Sequence, residues 1–147
     1  AAVLFLWDTS LCFINAHLAA HQDKTKRRNE DYSEIISGMH VGFPNCGVLN
    51  QFHHCIWMGD LNYRLDFSDT FGLEAANART PSSQLWNHVK DLIDRRQFAE
   101  LLAHDQLRNQ QERGKAFVGF SEGPIQHPPT FKVEIGCTTP RSSATQK

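Results

Sequence analysis

The stretch 55–64, Cys-Ile-Trp-Met-Gly-Asp-Leu-Asn-Tyr-Arg, constrains the fold more than any other part of the chain. Ile56, Trp57 and Met58 form a short run of β-branched and large apolar side chains stopped by Gly59. That is the pattern of an inner strand in a sheet covered on both faces. Glycine then permits a tight turn. Asp60 and Asn62 are separated by one residue, so in extended backbone both side chains project to the same side. A carboxylate beside an amide at a strand's carboxyl end suits hydrolysis of a phosphate ester. Asp60 is placed to orient a water and accept its proton. Asn62 and Arg64 are donors suited to the negative charge that builds on the phosphoryl oxygens. Taken alone, the four letters Gly-Asp-Leu-Asn read better as an ordinary turn, whose usual residues they are.

The remaining elements follow from spacing. Residues 1–7 and 11–16 are apolar runs separated by Asp8-Thr9-Ser10, which predicts an antiparallel hairpin. Residues 23–39 predict a helix with Asp23 as N-cap and Tyr32, Ile35, Ile36 and Met39 on one face, while Lys24, Lys26, Arg27 and Arg28 read as a solvated face. Residues 42–47 form a loop into the signature strand. Residues 66–80 are rich in Ser, Asp, Gly and Asn and are expected to be a surface loop. A helix start at Pro81-Ser82-Ser83 leads into Leu85, Trp86, Val89, Leu92 and Ile93 at helical spacing. A second helix carries Phe98, Leu101 and Leu102, and a third spans 105–112 and ends near Gly114. Phe117, Val118 and Phe120 suggest a short strand, Glu122-Gly123-Pro124 a turn, and Pro128-Pro129 an extended segment. Residues 133–147 carry no apolar periodicity and read as a variable loop or truncated tail.

Composition sets outer limits. A chain of 147 residues suits one domain, or part of a larger one. The 15 Lys and Arg against 16 Asp and Glu leave a net charge of -1, which gives no global attraction to nucleic acid or anionic lipid. Any phosphate recognition must be local. No apolar run is long enough to span a bilayer, and no secretory leader is evident. Cys12, Cys46, Cys55 and Cys137 lack C-x-x-C spacing, so they are expected to be reduced thiols of a cytoplasmic protein. His17 and His21 invite a zinc reading at their spacing of four, but there is no His-Glu-x-x-His pattern and no third ligand. His53 and His54 point to opposite faces of a strand and read as structural.

The string Trp57-Met58-Gly59-Asp60-Leu61-Asn62-Tyr63-Arg64 resembles the signature of the inositol polyphosphate 5-phosphatases, of the exonuclease-endonuclease-phosphatase superfamily. The resemblance continues upstream in residues 13–21, Phe-Ile-Asn-Ala-His-Leu-Ala-Ala-His, and in residues 27–32, Arg-Arg-Asn-Glu-Asp-Tyr. Downstream it runs through His104-Asp105-Gln106-Leu107, Lys115-Ala116-Phe117, Phe120-Ser121-Glu122-Gly123-Pro124-Ile125 and Pro129-Thr130-Phe131-Lys132. Several motifs in family order are far more specific than one.

The resemblance implies an α/β fold of the DNase I-like type, here part of a two-sheet β-sandwich flanked by helices. It also implies Mg2+-dependent hydrolysis of the 5-phosphate of phosphoinositides or soluble inositol polyphosphates. Asp60 would activate the water, Asn62 would stabilise charge on phosphorus, and His17 would hold the phosphate or protonate the leaving oxygen. Lys132 and the residue at 131 would meet the neighbouring 4-phosphate, and Arg64 the substrate. The main metal ligand, an upstream glutamate, and a later Arg-x-Pro-x-Trp-x-Asp-Arg string and Ser-Asp-His are not found in the chain, which therefore reads as the central portion of one catalytic domain, inactive alone. Contact with membrane surfaces is compatible with a lipid substrate. Two rival readings are a fragment or pseudoenzyme serving as an interaction module, and a nuclease or sphingomyelinase of the same superfamily. Charge balance gives a nuclease no support.

Phe131 departs from the family pattern, which has tyrosine there. A phenyl ring cannot donate the hydrogen bond, worth roughly 1.5–3 kcal/mol to a charged acceptor. Phe131→Tyr is expected to lower the Michaelis constant for a 4,5-bisphosphate more than for a 5-monophosphate. Steady-state kinetics on both substrates would refute this if the two constants moved equally.

Overall fold

In a computed structural model of the chain, residues 1–72 and 82–130 are described. The hairpin forms as expected. β1 (Ala2–Leu6) pairs antiparallel with β2 (Thr9–Asn15), Leu6 opposite Thr9. β3 (His54–Met58) lies parallel to β2, with Cys12 opposite Cys55 and Asn15 opposite Met58. The sheet order is β1-β2-β3. Among the described residues β3 is therefore an edge strand rather than an inner one, and its residues are half-buried or exposed. The apolar run of Ile56 to Met58 identified the strand correctly, but not its neighbours.

Alternation along β2 puts Ser10, Cys12 and Ile14 on the buried face. A parallel connection needs a crossover, and here it is α1 (Thr25–Gly38) with the loop and 3-10 turn (Val48–Asn50) that follow. Ile35, Ile36 and Met39 pack on the core of Cys12, Ile14 and Val48, as their spacing predicts. Among the described residues only this face of the sheet is covered by a helix. On the other, Leu4 and Leu6 are about half exposed.

A second cluster forms where Tyr32, Trp57 and Phe117 meet, with ring centroids 4.3 to 5.2 Å apart. Phe117 belongs to a turn and not to a strand: its φ is 54° and Phe120 N–H donates to its carbonyl. A third cluster joins Phe67 to Leu85, Leu92 and Leu101. It packs α2 (Ser68–Phe71) on α3 (Ser83–Asp94) and α4 (Phe98–Ala103), so 66–72 is not the open surface loop its composition suggested. Residues 73–81, including Pro81, lie outside the described residues. Ser82 caps α3 by accepting from Leu85 N–H, and Asp105 caps α5 (Gln106–Glu112) by accepting from Arg108 N–H. Gly114 follows at φ 66°.

Two readings at the start of α1 need correction. Asp23 is not its N-cap. It sits in a 3-10 turn, Gln22–Lys24, and pairs with Lys24 at 2.6 Å. Arg28 is not on a solvated face either, because its exposure is 0%. Position 28 precedes Tyr32 by four and Ile35 by seven residues, so it shares their inward face. Its guanidinium donates to the carbonyls of Ala19 (3.0 Å) and His21 (2.7 Å), to Thr25 Oγ1 (3.1 Å) and to Gln106 Oε1 (2.6 Å). It also lies 5.0 Å from the centre of the Tyr63 ring.

No helix among the described residues is long and apolar enough to cross a membrane. Cys12, Cys46 and Cys55 form no disulfide, and burial pushes the Cys12 and Cys55 thiols up from their usual values. Cys137 lies outside the described residues.

Removing the Arg28 fork strands several buried acceptors at once, each costing roughly 1–3 kcal/mol. Arg28→Met is expected to destabilise the protein by ~3 kcal/mol or more, and Arg28→Lys to recover little, because an ammonium cannot reach acceptors arranged for a planar fork. Urea midpoints of the two variants check this; full recovery by lysine would contradict it.

Candidate active site

β2 and β3 run parallel, so their carboxyl ends open at the same edge of the sheet, where parallel sheets place their ligand sites. The ladder extends past both strands: Ala16 N–H donates to Met58 O at 3.1 Å and Leu18 N–H to Asp60 O at 3.0 Å. His17 and Asp60 are thereby carried side by side. His17 Nε2 lies 3.7 Å from Asp60 Oδ2, and both side chains are well exposed to solvent.

Gly59 makes this approach possible. Its φ is 115°, and a Cβ there would stand 2.1 Å from Ala16 O and 2.6 Å from Asn15 Oδ1. The backbone does not stay extended after it. Asn62 has φ 57° and its N–H donates to Asp60 Oδ1 at 3.0 Å, the closed ring of an Asx turn. The expectation that Asp60 and Asn62 project together from extended backbone is thus replaced by a turn in which the two residues are bonded to each other. The turn reading of Gly-Asp-Leu-Asn describes the backbone here.

Asn62 is held at three points. Besides its backbone bond, Nδ2 donates to Leu18 O at 2.9 Å, and Oδ1 accepts from Arg64 Nη2 at 3.3 Å. The carbonyl on one side and the guanidinium on the other fix which way the amide faces. One Nδ2 hydrogen is committed to Leu18, so its second is the one directed elsewhere. Arg64 thus touches Asn62, and its half-buried position brings it to the edge of the site.

Behind these residues is a buried layer. Tyr63 donates to Asn29 Oδ1 at 2.6 Å, and burial, opposed by the nearby Arg28 charge, pushes its hydroxyl up to about 12. Gln106 Oε1 accepts from both Arg28 Nη2 and Arg64 N–H (3.1 Å), Gln106 N–H donates to Arg64 O at 2.9 Å, and its Nε2 donates to Gln22 O at 3.2 Å. Gln22 Nε2 in turn donates to Leu65 O at 2.8 Å, and Ala19 N–H to Asp31 Oδ2 at 2.9 Å. Gln106 and Arg28 were given no part in the site by the residue pattern. For Arg28 a signal existed in its helical phase with Tyr32 and Ile35; for Gln106 only its place in a resembling motif.

Of the six residues singled out, the structure brings His17, Asp60, Asn62 and Arg64 together. Lys132 and Phe131 lie outside the described residues. Among the described residues no group of three His, Cys, Asp or Glu is arranged to hold a metal. His53 is structural as expected: its Nδ1 is 2.8 Å from Ser10 Oγ and accepts from Ser10 N–H at 3.0 Å.

Comparison with known proteins bears on this edge of the sheet. The family model described as Endonuclease/Exonuclease/phosphatase family 2 matches residues 1–147. The mouse type II inositol 1,4,5-trisphosphate 5-phosphatase is 36% identical over 137 residues, covering 89% of this chain and 12% of that protein. Human synaptojanin-1 is 36% identical over 127 residues, 86% of this chain and 7% of that protein. The pig phosphatidylinositol 3,4,5-trisphosphate 5-phosphatase 2 is 35% identical over 131 residues, 87% of this chain and 9% of that protein. A crystal structure of the inositol polyphosphate 5-phosphatase domain of SPsynaptojanin, in complex with inositol (1,4)-bisphosphate and calcium ion, superposes with TM-score 0.68 at 32% identity. It is matched over 92% of this chain and 34% of its own. The chain thus spans about a tenth of the length of the curated relatives it matches and a third of the solved domain.

Gly59→Ala is expected to disrupt this edge, since the methyl group would collide with backbone and the positive φ would be strained as well. The loss should exceed ~2 kcal/mol, and amide exchange should quicken first at Leu18, which donates to Asp60 O. Wild-type protection at Leu18 in a folded Gly59→Ala variant would count against it.

Proposed function

The chain belongs to Endonuclease/Exonuclease/phosphatase family 2, and from that membership we propose that it carries part of the centre of an inositol polyphosphate 5-phosphatase, with the intact domain hydrolysing the 5-phosphate of phosphoinositides or soluble inositol polyphosphates. The relatives named above are 5-phosphatases of both kinds of substrate. The observation that carries the reading is the 3.7 Å approach of His17 to Asp60 at adjacent strand ends, with Asn62 locked beside them.

In this reading Asp60 orients the attacking water and takes its proton. Its exposure leaves room for that water and for substrate. Asn62 offers its second amide hydrogen to a phosphoryl oxygen, with no side-chain reorganisation to make during the reaction because three bonds already hold it. His17, beside Asp60, holds the phosphate or hands a proton to the departing inositol oxygen. Arg64 acts on the substrate through the amide it orients and through its own charge. Lys132 takes the 4-phosphate, with Phe131 as its neighbour.

The donors present suit a hard cation at the rim of the site rather than one caged by it. Asp60 offers an exposed carboxylate, and Mg2+ is commonly bound by one or two carboxylates together with substrate phosphate and water. Asp60 would face such an ion, with the main ligand supplied from outside the described residues. Bound there, Mg2+ would neutralise charge as anionic water and anionic phosphate approach. The protein's setting is read as cytoplasmic, with contact at membrane surfaces where the substrate is a lipid.

The test is phosphate release from inositol 1,4,5-trisphosphate by the full-length protein. Asp60→Asn is expected to lower kcat by ~10³-fold with little change in melting temperature, and Mg2+ to restore activity after chelation. Turnover near wild type in Asp60→Asn, or full activity in chelator, would reject the respective assignment.

A further inference from the structure

Two chain segments form the site, and each leaves the sheet from a different strand. The segment after β2 carries His17 and the segment after β3 carries Asp60, Asn62 and Arg64. Beyond the last ladder bond at Leu18, no strand pairing among the described residues holds the two together, and side chains join them instead: Asn62 Nδ2 donates to Leu18 O and Gln22 Nε2 to Leu65 O. Gln106 adds a third tie from the buried side. It is 5% exposed, and it grips Arg64 through both backbone groups, Gln22 through its carbonyl and Arg28 through its side chain. Arg28 completes the grip by donating to Ala19 O and His21 O on the β2 side.

We propose that Gln106, working through Arg28, is a positioning residue that sets the separation of the His17 and Asp60 segments. This rests on the phosphatase reading given above. Two features of Gln106 make it suited to the task. A single oxygen, Oε1, accepts from both Arg28 and Arg64, so neither partner can move without unsettling the other. The residue also opens α5, with Asp105 capping that helix just before it, so the grip is mounted on a rigid element. Gln106 does not touch the reacting atoms. Its effect reaches them through Arg64, which bonds the Asn62 amide, and Asn62, whose N–H bonds Asp60.

Length of the side chain is therefore what matters. Gln106→Asn keeps an amide but withdraws the oxygen by one methylene, whereas Gln106→Glu keeps both reach and acceptor, turns the donation to Gln22 O into a contact between two oxygens, and adds a charge that the Arg28 guanidinium matches. In the full-length enzyme, Gln106→Asn is expected to lower kcat by ~30-fold or more with KM within about threefold, since displacement of a catalytic group by about 1 Å is enough for ~10²-fold. Gln106→Glu should stay within about threefold of wild type.

A double-mutant cycle separates positioning from general loss of structure. In an Asp60→Asn background, Gln106→Asn should change the residual rate by less than about threefold, because the group it positions is already disabled. The same factor in both backgrounds, or a Gln106→Glu variant as impaired as Gln106→Asn while melting normally, would overturn the proposal. If Asp60→Asn itself turns over like wild type, the phosphatase assignment of Asp60 falls and takes the positioning role with it. An inactive Asp60→Asn with additive Gln106→Asn removes the positioning role alone.

Discussion

A guanidinium shut away from water has to be matched by acceptors, and the matching of Arg28 organises much of this chain. Its four acceptors come from the segment after β2, from the first turn of α1 and from the start of α5. Burial alone pushes the charge in the unfavourable direction, lowering its affinity for the proton. The four bonds from its two terminal nitrogens offset part of that, while the buried Nε has no partner, so the fold that holds Arg28 must bring those three regions to one place. The Tyr63 ring against the guanidinium adds a fourth, the segment after β3. A single buried cation thus demands the convergence on which the site is built, where a wholly apolar core would allow more freedom in how the segments meet.

Backbone geometry then determines what faces outward from that convergence. Parallel strands deliver their carboxyl ends to one edge, and glycine at 59 lets the two exits approach to where Asp60 can stand beside His17. The polar groups of the edge are of two kinds. The side chains of His17 and Asp60 are exposed to solvent, Asp60 accepting from the Asn62 N–H. Asn62 and Gln106 are tied to backbone, and Tyr63 to the Asn29 side chain. This division suits chemistry that requires fixed dipoles next to a solvent-accessible acid and base.

What could be read from the sequence was what depends on local period. The hairpin, the apolar face of α1, the helix start near Ser82 and the strand at Ile56 to Met58 all follow from apolar runs, helical spacing or helix-start chemistry. Arg28 was legible in principle by phase with Tyr32, yet the run of four basic residues at 24–28 pointed the other way. A charge cluster says nothing about which of its members turns inward. The expected strand at Phe117 failed because an apolar triplet cannot distinguish extended backbone from a turn whose carbonyls are gathered by a side chain, as Gln111 gathers those of Phe117 and Phe120. Phe67 looked like loop for the same reason, since its partners Leu85, Leu92 and Leu101 lie far along the chain. Gln106 left no local trace, because its side-chain partners are 42, 78 and 84 residues away.

The Asp60 and Asn62 pair shows how two residues expected to lie together can do so by a different geometry. Extended backbone would have aimed both side chains outward by alternation alone, leaving each free to rotate. The Asx turn brings them together by a bond between them, and the left-handed backbone of Asn62 is one that asparagine tolerates better than most residues. The consequence differs in kind. An alternating strand would offer two independent groups, whereas the turn couples the carboxylate to the amide, and through Oδ1 to Arg64 and the buried layer behind it. A turn signature and a site signature are therefore compatible readings of Gly-Asp-Leu-Asn, because it is the turn that holds the amide in a single orientation beside the carboxylate.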